Sequence, residues 1–171
     1  MTNSSELVAV DLTGDERDFI RQTLDEWRRS AAGKPFPFQV LGLSTWEQFG
    51  ELIVRLERAV TDREPLTDLD WARVLLLSEV TFASSLIGAG LDFEIGTRFS
   101  DAEAMGLLRG LQRKIGGYER AKLLFPNGGR IRTAEEIENI ERWGEGIRRE
   151  QRRRQSPPGS NRLVTQHFET L

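Results

Sequence analysis

Residues 67–87 read TDLDWARVLLLSEVTFASSLI, and this run decides the fold. Thr67 is followed three residues later by Asp70, the spacing at which a hydroxyl and a carboxylate cap each other's free backbone N–H at a helix start. Beyond that cap, the apolar residues from Trp71 to Ile87 cover most of a helical circumference instead of one stripe. A helix with so little polar face belongs in the middle of a bundle. The overlapping run Val74 to Leu91 carries a single charge, Glu79, in 18 residues. A spanning helix needs ~20 mostly apolar residues, and a central acid costs ~3 kcal/mol on insertion. With Ser78, Thr81, Ser84, Ser85, Gly88 and Gly90 diluting the run further, a buried helix is expected and no membrane span.

The same start signal recurs on both sides of this helix: Thr13 with Glu16, Ser44 with Glu47, Ser100 with Glu103 and Thr133 with Glu136. Apolar residues at helical spacing follow each one. Helices are predicted over Asp15–Arg29 (Phe19, Ile20, Leu24, Trp27), Thr45–Val60 (Trp46, Phe49, Ile53, Leu56, Val60), Asp68–Ile87, Asp101–Ile115 (Met105, Leu108, Leu111, Ile115) and from Thr133 through Ile147. A short extra turn is expected at Tyr118–Phe125, before the turn residues Pro126 to Gly129. Leu91, Phe93 and Ile95 alternate too briefly for more than a loop or a small edge strand. The expected fold is all-α: a compact bundle of about five helices filling one domain over 1–154, with the first dozen residues loosely held. Residues 155–171, opening on Ser156-Pro157-Pro158-Gly159-Ser160, read as an extended tail.

Thr67, Ser100 and Thr133 are spaced by 33 residues, a period used by helical repeats, but the segments after them share no apolar register and no repeat is inferred. Gly106 and Gly110, four apart, suit a close crossing with another helix.

The inventory of reactive residues is short. The chain of 171 residues has no cysteine, which excludes disulfides, thiolate-ligated metals and thiol nucleophiles. Its one histidine, His167, is the fifth residue from the end, so no triad or multi-histidine site is expected, and no cofactor. Glu79 is the one candidate catalytic group, because a carboxylate on the stripe of Leu75, Phe82 and Leu86 is desolvated unless an arginine such as Arg109 or Arg113 pairs with it. Acids also gather at Asp11, Asp15, Glu16 and Asp18, and at Asp62, Glu64, Asp68 and Asp70. Caps and first-turn acids account for several of them, so no metal site is assigned.

The net charge of −3 averages two unlike regions: residues 1–70 hold 14 acids and 8 bases, whereas 142–154 hold six arginines and two glutamates. Arg148, Arg149, Arg152, Arg153 and Arg154 could grip nucleic-acid phosphates, or simply match the negative end of a helix dipole. The loop GKPFPFQVLGL, residues 33–43, holds Phe36 and Phe38 on an extended Pro-fixed chain, and either covers the core or meets a partner. Leu163, Val164, Phe168 and Leu171 give the tail an apolar tip suited to the same purpose.

These features point to a non-enzymatic cytoplasmic protein that binds another protein through the apolar loop and tail, a second copy of itself being one such partner. A nucleic-acid-binding protein and a carboxylate or metal-dependent enzyme are the alternatives. Arginine outnumbers lysine 21 to 3, a usage that fits a GC-rich bacterial genome.

Overall fold

The computed structural model describes residues 6–130 and 132–155. The described fold is mostly helical, with one two-stranded sheet, and the chain divides into two compact units, Met1–Gly128 and Gly129–Leu171. In the first unit β1 (Leu7–Val8) precedes α1 (Gly14–Glu26), α2 (Trp46–Asp62), β2 (Leu66–Thr67), α3 (Asp68–Ala83), the single turn α4 (Phe93–Gly96), α5 (Asp101–Ile115) and α6 (Tyr118–Leu124). The second unit contains α7 (Ala134–Gln155). Pro126 to Gly129, the predicted turn, carries the division.

The caps form as their residues dictate. Thr13 and Glu16 make a reciprocal capping box on α1, as do Ser100 and Glu103 on α5. Thr133 and Glu136 exchange the equivalent bonds at α7. At α2 the cap lies one residue later than expected: Thr45 accepts from the Gln48 N–H, and the Gln48 side chain in turn accepts from the Ser44 N–H. Gln48 does here what Glu47 was expected to do. At α3 the Thr67 hydroxyl caps the Asp70 N–H, but the Asp70 carboxylate turns away to Arg55 and Arg73.

Helix α3 is the centre of the first unit, packed by α1, α5 and α6. Val74, Leu77, Ser78 and Thr81 are fully enclosed. The polar ones are satisfied within the α1–α3 seam, where Thr23 and Ser78 share a hydroxyl bond of 2.9 Å and Thr81 donates to Leu77 O at 2.7 Å. Two aromatic groups flank this seam. Trp27, Phe36 and Phe49 close one end, with ring centroids 4.7–5.5 Å apart, while Phe19 meets Phe93 and Phe99 at the other, each at 5.9 Å.

Several expectations are revised. The first dozen residues are not loose from residue 7 onward: β1 pairs antiparallel with β2, the Trp71 indole donates to Val8 O at 2.9 Å, and Leu12 is buried. Helix α3 stops at Ala83, four residues short of the predicted end, because Ser84 turns extended and the chain folds back. Residues 91–95 form no strand but a short 3-10 turn, Gly90–Asp92, running into α4. Gly110 does serve a close approach, since a Cβ there would stand 2.8 Å from the Glu16 carboxylate of α1, whereas Gly106 faces open space.

Asp70 links three segments. Arg55 of α2 binds both its oxygens, at 2.8 and 2.9 Å, and Arg73 binds one of them while also donating to Leu41 O in the apolar loop. Burial pushes the Asp70 carboxyl up, but the hydrogen bonds and charge of Arg55, then of Arg73, outweigh it and hold it below the ordinary carboxylate range. With the unfolded value near ~3.9, this stabilisation is present above about pH 4 and is lost as pH falls through the lower folded value. Asp70→Asn is expected to lower stability at neutral pH by about 2 kcal/mol and to flatten its decline in acid, both read from urea denaturation across pH.

Candidate functional site

The residues singled out in the sequence do not converge on one site. Phe36 is 5% exposed and sealed between Trp27 and Phe49, so the loop 33–43 covers the core and Phe36 is not free to meet a partner. Its packing follows from the trio of large rings, which remove more area from water together than any one would on the surface. Phe38 is half-buried against Trp46, with ring centroids 5.8 Å apart. Leu163, Val164, Phe168 and Leu171 lie outside the described residues.

Glu79 is half-buried between α3 and α5, on the same side as Leu75 and Phe82, while Leu86 falls beyond the end of the helix. Its Oε1 accepts from Gln112 Nε2 at 2.7 Å, and Gln112 Oε1 accepts from Arg109 at 2.7 Å. The arginine anticipated for it is therefore reached through an amide. Of the two most buried acids, the sequence marks Glu16 only as a cap and a member of an acidic group, and does not mark Glu26. Glu26 is 2% exposed, hydrogen-bonded by the Ser30 hydroxyl, and lies against Gly96, where a Cβ would come within 2.8 Å of its carboxylate. Glu16 accepts from Lys114 Nζ at 2.7 Å as well as closing its cap. Glycine opposite each acid, Gly110 and Gly96, is the signal that could have found them.

Among the described residues no group of three or more acids, histidines or cysteines gathers as a metal site, and no helix is long and apolar enough to cross a membrane. Two open depressions, of about 410 and 300 Å³, mark the first unit. One runs along the outer face of α2 past Val54 and Arg58; the other lies beside Arg98, which is engaged with Asp15 and Asp18. Arg148, Arg149, Arg152, Arg153 and Arg154 are exposed on α7, with Arg149 paired to Glu145 and Arg154 to Glu150.

The segment after α3 packs one face on the core and leaves the other in water. Its backbone is tightly pinned: Gly88 N–H bonds to Ser84 O at 3.0 Å, Ala89 N–H to Thr81 O at 2.8 Å, and Lys34 donates to Gly88 O. A Cβ at Gly88 would stand 1.9 Å from Val80 O, so only glycine fits there. Gly90 has φ +53° and the Ser85 Cα within 2.6 Å of its would-be Cβ, a conformation and a space closed to other residues. Ala89 and Phe93, four apart, face inward and are buried; Phe93 meets Phe82 at 5.3 Å. The alternate residues then face outward. Leu86, Leu91 and Ile95 are 84%, 86% and 85% exposed, with exposed Asp92 and Glu94 between them. Single exposed leucines are ordinary, but here three nearly bare aliphatic side chains fall within ten residues of one hydrogen-bonded segment, called the ledge below.

No family model matches the chain, and neither the curated proteins nor the solved structures compared with it give a match. The geometry alone carries the reading.

Gly88→Ala is expected to release the ledge: the clash with Val80 O forces the turn open, and the amide of Ala89 loses its bond to Thr81 O. Hydrogen exchange at Ala89 should rise by about tenfold or more, while amides in α2 keep their protection.

Proposed function

We propose that the protein is a non-enzymatic binding protein that docks on another protein through the ledge formed by Leu86, Leu91 and Ile95. The carrying observation is their exposure, 84–86%, on a backbone segment held by two glycines that no other residue could replace. Burying a leucine side chain gains about 2 kcal/mol, so a surface that leaves three aliphatic groups in water forgoes a gain that a complementary apolar surface recovers. Asp92 and Glu94 give this surface an acidic edge. The complementary partner is an apolar protein face bordered by lysine or arginine, acting in the cytoplasm.

This reading moves the docking surface from the Phe36 loop to the segment after α3. The apolar end of the tail, Leu163 to Leu171, stays a second contact within the same reading. Nucleic-acid binding by Arg148 to Arg154 and carboxylate catalysis by Glu79 have no further observation in their favour, since Arg149 and Arg154 have partners on their own helix and Glu79 is held by Gln112.

The test replaces Leu91 and Ile95 together by Asp and compares proximity cross-linking from the ledge in cells of origin. The double variant should keep wild-type stability within about 0.5 kcal/mol, because both side chains are exposed, and should lose the cross-linked species. A cross-linking pattern unchanged by the substitution would overturn the assignment.

A further inference from the structure

The first unit carries a second partly apolar surface, on the outer face of α2. An open depression of about 410 Å³ runs past Gly50, Glu51, Val54, Arg55 and Arg58. It begins at a gap in the helix surface: a Cβ at Gly50 would meet nothing within 4 Å. Val54, one turn later, is 51% exposed, and Trp46, one turn earlier, is 40% exposed. Glycine inside a helix costs about 1 kcal/mol relative to alanine, and no contact among the described residues requires it at position 50.

Charge on this surface is unevenly committed. Arg55 gives both its bonds to Asp70. Arg58, exposed at the C-terminal end of the depression, has no side-chain partner among the described residues.

We propose that the ledge of one copy of this chain docks in the α2 depression of another. The inference rests on the ledge reading above and names its partner. Leu91 and Ile95 are four residues apart in a helical turn, as are Gly50 and Val54. Residues so spaced on a helix stand about 6 Å apart on one face, so two projecting side chains meet a hole and its half-exposed neighbour at equal spacing. One ledge side chain takes the space above Gly50 and the other packs on Val54, so a single contact removes both apolar surfaces from water. Asp92 and Glu94 are carried in with them, and Arg58 is the unpaired cation beside the pocket that answers an acidic edge. Glu51 lies two turns before Arg58, so like-charge repulsion sets the acids toward the C-terminal end of α2.

Such a contact joins unlike surfaces. Copies linked by it either close into a symmetric pair or ring, or continue as a chain. An interface of a few side chains is small, and association through it is weak and concentration-dependent.

Sedimentation equilibrium of the full chain should give a mean mass that rises above 19.5 kDa with concentration. Two variants separate the surfaces. Leu91→Asp with Ile95→Asp removes the ledge. Gly50→Gln with Arg58→Glu fills the hole and reverses the charge, both at exposed positions, the first with a gain in helix propensity. Each variant alone should raise the dissociation constant by about tenfold or more. Their equimolar mixture should regain a one-to-one complex of near wild-type affinity, because one chain still offers an intact depression and the other an intact ledge. That rescue also shows that both variants fold.

A wild-type chain that stays monomeric at every concentration overturns the proposal, as does either variant that associates like wild type or a mixture that stays monomeric. The ledge reading fails separately. If the wild-type chain is monomeric yet its cross-linked species disappears with Leu91→Asp and Ile95→Asp, the ledge serves a different protein and only the second copy is excluded.

Discussion

The first unit is organised by one constraint: α3 has no side that can face water. Its apolar residues surround the axis, and even its inward hydroxyls, Ser78 and Thr81, find partners only on α1 and within α3 itself. Such a helix must be enclosed, so α1, α5 and α6 each take a share of it. The other features follow as ways of holding that enclosure in place. The β1–β2 pair and the Trp71 indole bring the start of the chain over the N-terminal end of α3, and the Asp70 pair ties α2 and the apolar loop to the same end.

What the sequence could and could not reveal divides along the range of the interactions. Helix existence was legible because the caps and the apolar period are local: α5 runs from Asp101 to Ile115 as read, and Thr13, Ser100 and Thr133 cap as read. The end of α3 was not legible, since Ser84 and Ser85 do not forbid a helix. The turn there depends on Gly88 reaching the Val80 carbonyl and on Ala89 bonding back to Thr81, contacts that involve the folded chain. The displacement of the α2 cap by one residue shows the same limit at small scale: Ser44 and Thr45 are both competent, and the choice falls on the one whose glutamine can also satisfy its neighbour.

The site was less legible than the fold. From the sequence the loop holding Phe36 and Phe38 could cover the core or meet a partner, and only the folded chain decides it: Trp27 and Phe49 form an aromatic slot that Phe36 fills. In the sequence Leu91 and Ile95 carry no sign of an exposed apolar surface, because their alternation with Phe93 reads as a loop or a small edge strand. In a helical turn the same alternation sends Phe93 to the core and its two neighbours to solvent. The burial of two acids was hidden for a similar reason. Glu16 and Glu26 sit on α1 among polar residues, and only the glycines of facing segments make room for them.

Four arginines of the first unit tie its segments together: Arg55 and Arg73 on Asp70, Arg98 on Asp15 and Asp18, Arg120 on Asp68. The segment after α3 is held differently, through backbone hydrogen bonds and close packing at Gly88 and Gly90. That has a thermodynamic consequence for any molecule that settles on it. The three aliphatic groups are carried on main chain already fixed, so an encounter does not have to freeze it, and the entropic penalty that weakens binding by unstructured segments is largely absent. A complex formed there would not wait for a rearrangement of the main chain, and its lifetime would be set by how fast the apolar contact lets go.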